Sequence, residues 1–179
     1  MTMTNLMTQI AISISEVMET MFYIPVEPRN GYTTIGESGL FLDNLDHPEH
    51  FKSIFKSGKR VAEADNIQAA TITFHGTFSG EICLIVPEKL LVVMTENFMG
   101  EERRHLTDEH LDGTLKETLN MLAGNTFSKI DTESSFCLGV PETNTSAITI
   151  TDKKGWYANS PLLLVDTMDG LMGITVNIK

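Results

Sequence analysis

Long apolar runs, cysteines and positive charge are all scarce in this chain of 179 residues, and each scarcity excludes something. The longest apolar stretch, Ile82 to Pro87, falls far short of the roughly 20 residues that a membrane-crossing helix needs. Met1 to Gln9 lacks the basic start, apolar middle and small-residue cleavage site of a secretory leader, so a cytoplasmic protein is expected. Only 2 cysteines are present, Cys83 and Cys137, and a disulfide between them is the lesser alternative. Each sits in an apolar, strand-like run and is expected as a buried free thiol. Lys and Arg number 13 against 24 Asp and Glu, for a formal net charge of −11. No basic cluster exceeds a pair such as Lys59–Arg60 or Arg103–Arg104. A surface of that sign repels a phosphate backbone and argues against a nucleic-acid role. No Gly-x-Ser-x-Gly turn supports serine-hydrolase chemistry, and neither a phosphate loop nor a Gly-x-Gly-x-x-Gly run supports nucleotide binding.

What is present suits one domain spanning 1–179, since 41% apolar residues suffice for a continuous core. Met7 to Phe22 carries Ile10, Ile14, Val17, Met18 and Met21 at helical spacing, bounded by Pro25 and Pro28. Residues 27–66 form a long polar excursion or insertion, with one short helix expected at Glu49 to Lys56. From Ile67 the period becomes two, and Ile67–His75 with Thr77–Val86 predicts a hairpin. Pro87 then opens a helix that Gly100 closes. Thr107 is placed to cap a longer helix from Asp108–Glu109 to about Lys129. Strand-like runs at Ser146–Thr151, Leu162–Thr167 and Leu171–Ile178 follow, with turns at Lys154–Gly155 and Asp169–Gly170. The expectation is an α+β fold, an antiparallel sheet with helices packed on it. A helix leading to paired strands occurs twice, which suggests a weak internal pseudo-repeat.

The stretch from Leu111 to Asn125 carries the chemistry. At about 100° per residue, Leu111, Leu115, Leu119 and Leu122 share one stripe. Glu117 and Asn120 are neighbours on the opposite side, with Gly113 and Gly124 in the same sector. Each interior glycine costs a helix about 1 kcal/mol relative to alanine, and Asn is also poor there. Two readings account for this. Gly124–Asn125 ends the helix as a left-handed cap, or the small residues admit a partner surface that Glu117 and Asn120 reach across to.

The segment Glu117-x-x-Asn120-Met-Leu-Ala-Gly-Asn125, after an acidic helix start, resembles the active-site helix of the CheC/CheX/FliY family. The resemblance extends to Glu16–Phe22, to Phe-Ser-Gly-Glu-Ile at 78–82 before Pro87-Glu88, to Met-Gly-Glu-Glu at 99–102, and to Pro141. Only residues 27–66 and the last few positions fall outside it. It implies a phosphatase that binds a phosphorylated CheY-like receiver domain and promotes hydrolysis of its aspartyl phosphate, in chemotaxis or two-component signalling. In that role Glu117 would pair with a receiver lysine, and Asn120 would orient the attacking water. Gly113, Gly124 and Asp112 would lie against the partner. No cofactor would be bound by this chain, Mg²⁺ being held by the receiver. Gly113 stands where the family often has Asp or Ser, Asp112 lies one further back, and Pro141 is slightly nearer to Asn120 than usual. The first helix has Ser15 and Glu19 but Phe22 in the amide position, so one active helix is expected, as in CheX rather than CheC. The resemblance also implies a homodimer, for which edge strands in the C-terminal run would offer a pairing route. A non-catalytic receiver- or motor-binding adaptor is the alternative, and a sensory or ligand-binding domain a third possibility.

Asp43, Asp46, His47, Glu49 and His50 are ligand types without fixed geometry, so a metal site there is a minor possibility. His105 and His110 are expected at the surface, the 10 methionines mostly in the core, and Trp156 either in the surface or as a core plug.

Overall fold

The computed structural model describes residues 2–28, 33–34, 67–130, 136–144 and 160–179. Helix α1, Met3–Met21, starts four residues earlier than the apolar spacing suggests, because the Thr2 side chain accepts from the Asn5 amide and Leu6 and Met7 extend its buried stripe. It stops where Tyr23 takes a left-handed φ of 56°. The amides of Phe22 and Ile24 both donate to the Met18 carbonyl there, Phe22 and Ile24 turn inward, and Tyr23 points out.

The hairpin is β3, Ile67–His75, and β4, Ser79–Pro87, paired from Ile67↔Pro87 to His75↔Ser79. Pro87 caps α2, Glu88–Met99, and Gly100 ends it at φ 68°. A 3-10 turn at Arg103–His105 leads to α3, Asp108–Ile130. Strands β7, Pro161–Thr167, and β8, Leu171–Ile178, form a second hairpin. The two hairpins meet through antiparallel pairing of β4 with β8. Short strands complete the described sheet, in the order β1-β7-β8-β4-β3-β5. β1 is Val26–Pro28 and β5 is Cys137–Leu138; β2, Thr33–Thr34, adds to β7, and β6, Glu142–Asn144, adds to β3.

This is the expected α+β fold. Ile72 and Phe74, Ile82, Leu84 and Val86, Leu163 and Val165, and Met172, Ile174 and Val176 share one core with the apolar stripes of α1, α2 and α3. Strand β4 is buried from Gly80 to Pro87, on both of its faces, as a central strand should be. Two expectations fail here. β7 and β8 are not edges: β8 is paired on both sides, and β7 lies between β8 and β1–β2. Much of their backbone pairing is made within the chain, so neither presents the open edge that pairing with a second copy would use. Cys137 is exposed rather than buried, since β5 is a two-residue edge strand, whereas Cys83 is buried in β4. The doubled helix-then-strands order leaves the pseudo-repeat unestablished. The expected strand at Ser146–Thr151, the turn at Lys154–Gly155, the helix at Glu49–Lys56, the Asp43–His50 cluster and Trp156 lie outside the described residues. Among the described residues no helix is long and apolar enough to cross a membrane.

Candidate functional site

Helix α3 begins with a reciprocal cap. The His110 amide donates to Thr107 Oγ1 at 3.4 Å, and the Thr107 amide donates to His110 Nδ1 at 3.3 Å. This is the geometry of a capping box with imidazole in place of the usual carboxylate. His110 is therefore half-buried and part of the helix start, while His105 is exposed as expected. Asp108 and Glu109 occupy the first turn, where the positive end of the dipole favours acids. The buried side comprises Thr114, Leu115, Thr118, Leu119, Leu122, Ala123, Thr126 and Phe127. It is wider than the leucine stripe, and three of its eight residues are threonines. Thr118 satisfies its hydroxyl on the Thr114 carbonyl at 2.6 Å, a bond that hides a threonine inside a packed helix.

Glu117 and Asn120 stand on the opposite side, one turn apart and both exposed. Neither has a hydrogen-bond or ion-pair partner among the described residues. Gly113 is exposed and Gly124 half-buried in the same sector. The helix continues through Gly124 to Ile130, and among the described residues only Gly100 and Gly170 are glycines with positive φ. The cap reading of Gly124–Asn125 is thereby overturned. A Cβ added at Gly113 or Gly124 would meet nothing within 4 Å. No contact among the described residues requires either glycine, although each costs the helix about 1 kcal/mol. Gly113→Ala and Gly124→Ala are each expected to stabilise the chain by about 0.5–1 kcal/mol in chemical denaturation. If the bare backbone serves a partner, the double variant will bind that partner more weakly despite its greater stability. Destabilisation by either substitution would contradict the open geometry.

Asp112 does not simply face outward. One carboxylate oxygen accepts from Thr143 Oγ1 at 2.6 Å and the other from Lys116 Nζ at 2.7 Å. Partial burial pushes its pKa up, but the hydrogen bonds from Lys116 and Thr143 and the Lys116 charge outweigh this and hold it below the ordinary carboxylate value. Further along the helix, Phe127 joins an aromatic cluster with Phe74 and Phe136, ring centroids 4.6 and 4.5 Å away, and Lys129 pairs with Glu16 of α1.

The corresponding stretch of α1 has no such face. Ser15 donates to the Ala11 carbonyl at 3.0 Å, and Phe22 is fully buried with its ring 5.6 Å from that of Phe98. Among the described residues no group of three or more His, Cys, Asp or Glu could hold a metal. A groove of about 450 Å³ lies at the β1–β7 end, lined by Pro25, Glu27, Asp166, Thr167 and Met168, and contains none of the α3 residues. The Glu117–Asn120 face lies open on the helix surface, away from that groove.

The sequence model of the family described as "Chemotaxis phosphatase CheX" matches residues 68–156, a span that contains all of α3. No curated protein matches the chain in sequence. Among solved structures, a chemotaxis protein CheX from Desulfovibrio desulfuricans is 12% identical with a TM-score of 0.59, covering 97% of this chain and 99% of that one. A chemotactic CheC-like protein from Shewanella oneidensis MR-1 is 15% identical with a TM-score of 0.63, covering 98% of both chains. A chain of the CheX–CheY–BeF3–Mg²⁺ complex from Borrelia burgdorferi is 14% identical with a TM-score of 0.63, covering 97% of both. At these identities the likeness is one of fold.

Proposed function

We propose, from the match of residues 68–156 to the CheX family model and the shared fold, that the chain is a phosphatase of the CheC/CheX/FliY family that docks on a phosphorylated receiver domain and hastens loss of its aspartyl phosphate. The observation that carries the reading is the pair Glu117 and Asn120, exposed side by side on α3 without partners among the described residues and flanked by bare backbone at Gly113 and Gly124. An exposed acid and amide that no described residue engages are available to a visitor. The structure of a CheX–CheY–BeF3–Mg²⁺ complex on the same fold supports a receiver as that visitor.

Hydrolysis of an aspartyl phosphate transfers the phosphoryl group to water. The bond from phosphorus to the aspartyl oxygen breaks, the carboxylate leaves, and the water proton passes to solvent or phosphate. The receiver supplies the Mg²⁺ that spreads the charge of the phosphoryl oxygens, so the missing contribution is a positioned nucleophile. The Asn120 amide suits that task, its oxygen accepting from the water and its nitrogen donating to a phosphoryl oxygen. Glu117, one turn earlier, supplies the negative charge for a receiver lysine and sets the register of docking.

The test is phosphate release from a panel of phosphorylated CheY-type receivers with Mg²⁺, with and without this chain, alongside binding to phosphorylated and unphosphorylated forms. The expected result is faster release from at least one receiver and tighter binding to its phosphorylated form. Binding without faster release would leave the chain a non-catalytic adaptor and sink the phosphatase reading.

A further inference from the structure

The two halves of α3 are held very differently. The second half buries Leu119, Leu122, Ala123 and Phe127, the last within the aromatic cluster of Phe74 and Phe136. The first half fully buries only Thr114, Leu115 and Thr118, with Leu111 partly buried against the core, and Gly113 loosens the backbone between them. Apolar burial therefore gives that half less hold on the sheet than the second. The polar tether from Asp112 lies there. Thr143 belongs to β6, which pairs with the outer side of β3 through Ala70↔Thr143, so its 2.6 Å bond to Asp112 ties the front of the helix to the sheet edge.

Lys116 adds a second element. It sits four residues after Asp112 and four before Asn120, so either side chain is within its helical reach. Its ammonium is 2.7 Å from Asp112, which draws it toward the helix start and away from the Asn120 amide. Each carboxylate oxygen of Asp112 has one partner, and the bonds to a charged acceptor are of the stronger kind.

We propose that Asp112 is a positioning residue which, through Thr143 and Lys116, fixes the front half of α3 on the sheet edge and so sets where Glu117 and Asn120 stand. This rests on the phosphatase reading for its consequence but not for its geometry. Asp112 thereby acts from within the chain rather than as a contact for the partner.

Amide hydrogen exchange and phosphatase kinetics on Asp112→Asn, Thr143→Val and Thr143→Ser test the proposal together. In Asp112→Asn and Thr143→Val, exchange over residues 113–120 is expected to speed by about tenfold while residues 122–130 keep their protection. The rate at saturating receiver is expected to fall about tenfold with KM within about twofold, the sign of a misplaced group rather than a lost contact. Thr143→Ser keeps the hydroxyl and should restore both readouts. Unchanged exchange in both disruptive variants, a Thr143→Ser variant as impaired as Thr143→Val, or faster exchange with an undiminished rate would each overturn the positioning role. Asn120→Ala serves as the control: if it retains full activity the phosphatase reading is at fault, and the exchange data alone then decide the tether.

Discussion

Replacing Asn120 by alanine is expected to remove most of the acceleration of phosphate release, a loss of about a hundredfold or more, while the complex with the phosphorylated receiver persists. Removing one preorganised hydrogen-bonding group from the reacting atoms typically costs 10²–10³ in rate. Asn120 is exposed and has no partner among the described residues, so its amide can meet the water and the phosphoryl oxygen. The fold will not confound the result. An exposed helical Asn→Ala exchange removes a poor helix former and should leave stability equal or higher by about 0.5 kcal/mol. Saturating kinetics on the variant, with binding measured separately, decides the matter, and retention of the full rate would end the proposed role of the amide.

Glu117→Gln should show the complementary pattern. The glutamine keeps the size and loses the charge, so the turnover of the saturated complex stays close to the parent while affinity falls. Truncating one partner of a charge pair buried at an interface costs about 2–5 kcal/mol, which corresponds to a rise of about thirtyfold or more in the receiver concentration needed. Removing a charge from a protein of net charge −11 changes its long-range field only slightly, so the loss should reside in dissociation rather than encounter. Titration of receiver against both proteins reads this directly. A variant whose affinity is intact but whose saturated rate collapses would exchange the two roles and place the chemistry on Glu117.

The elements that were legible in the sequence are those whose pattern is long enough to speak locally. Helices α2 and α3 and strands β3, β4, β7 and β8 each carry several turns or alternations, and their ends coincide with Pro87, Gly100 and Thr107. The short strands β1, β2, β5 and β6 had no such signal. At two or three residues their pairing is fixed by tertiary contact and not by local preference. Thr114, Thr118 and Thr126 were invisible as core because residue type alone does not mark a threonine as buried: Thr118 satisfies its hydroxyl on a carbonyl within the helix, whereas Thr126 is buried without such a bond. For the candidate site, the angular sector shared by Gly113, Glu117, Asn120 and Gly124 was readable from spacing alone. The bond from Thr143 to Asp112 was not, since the residues are 31 positions apart and neither type demands the other. The cap by His110 left a faint trace: it stands three residues after Thr107, where a carboxylate or amide would have been recognised.

Phe22, sealed against Phe98 at the end of α1, has a quantitative consequence for any circuit this protein serves. Under the proposed function each polypeptide offers a single berth, so titration with receiver reaches its end point at equimolar amounts. Signal decay would then scale in simple proportion to how many copies the cell makes. A sharper, switch-like response would have to originate elsewhere in the pathway.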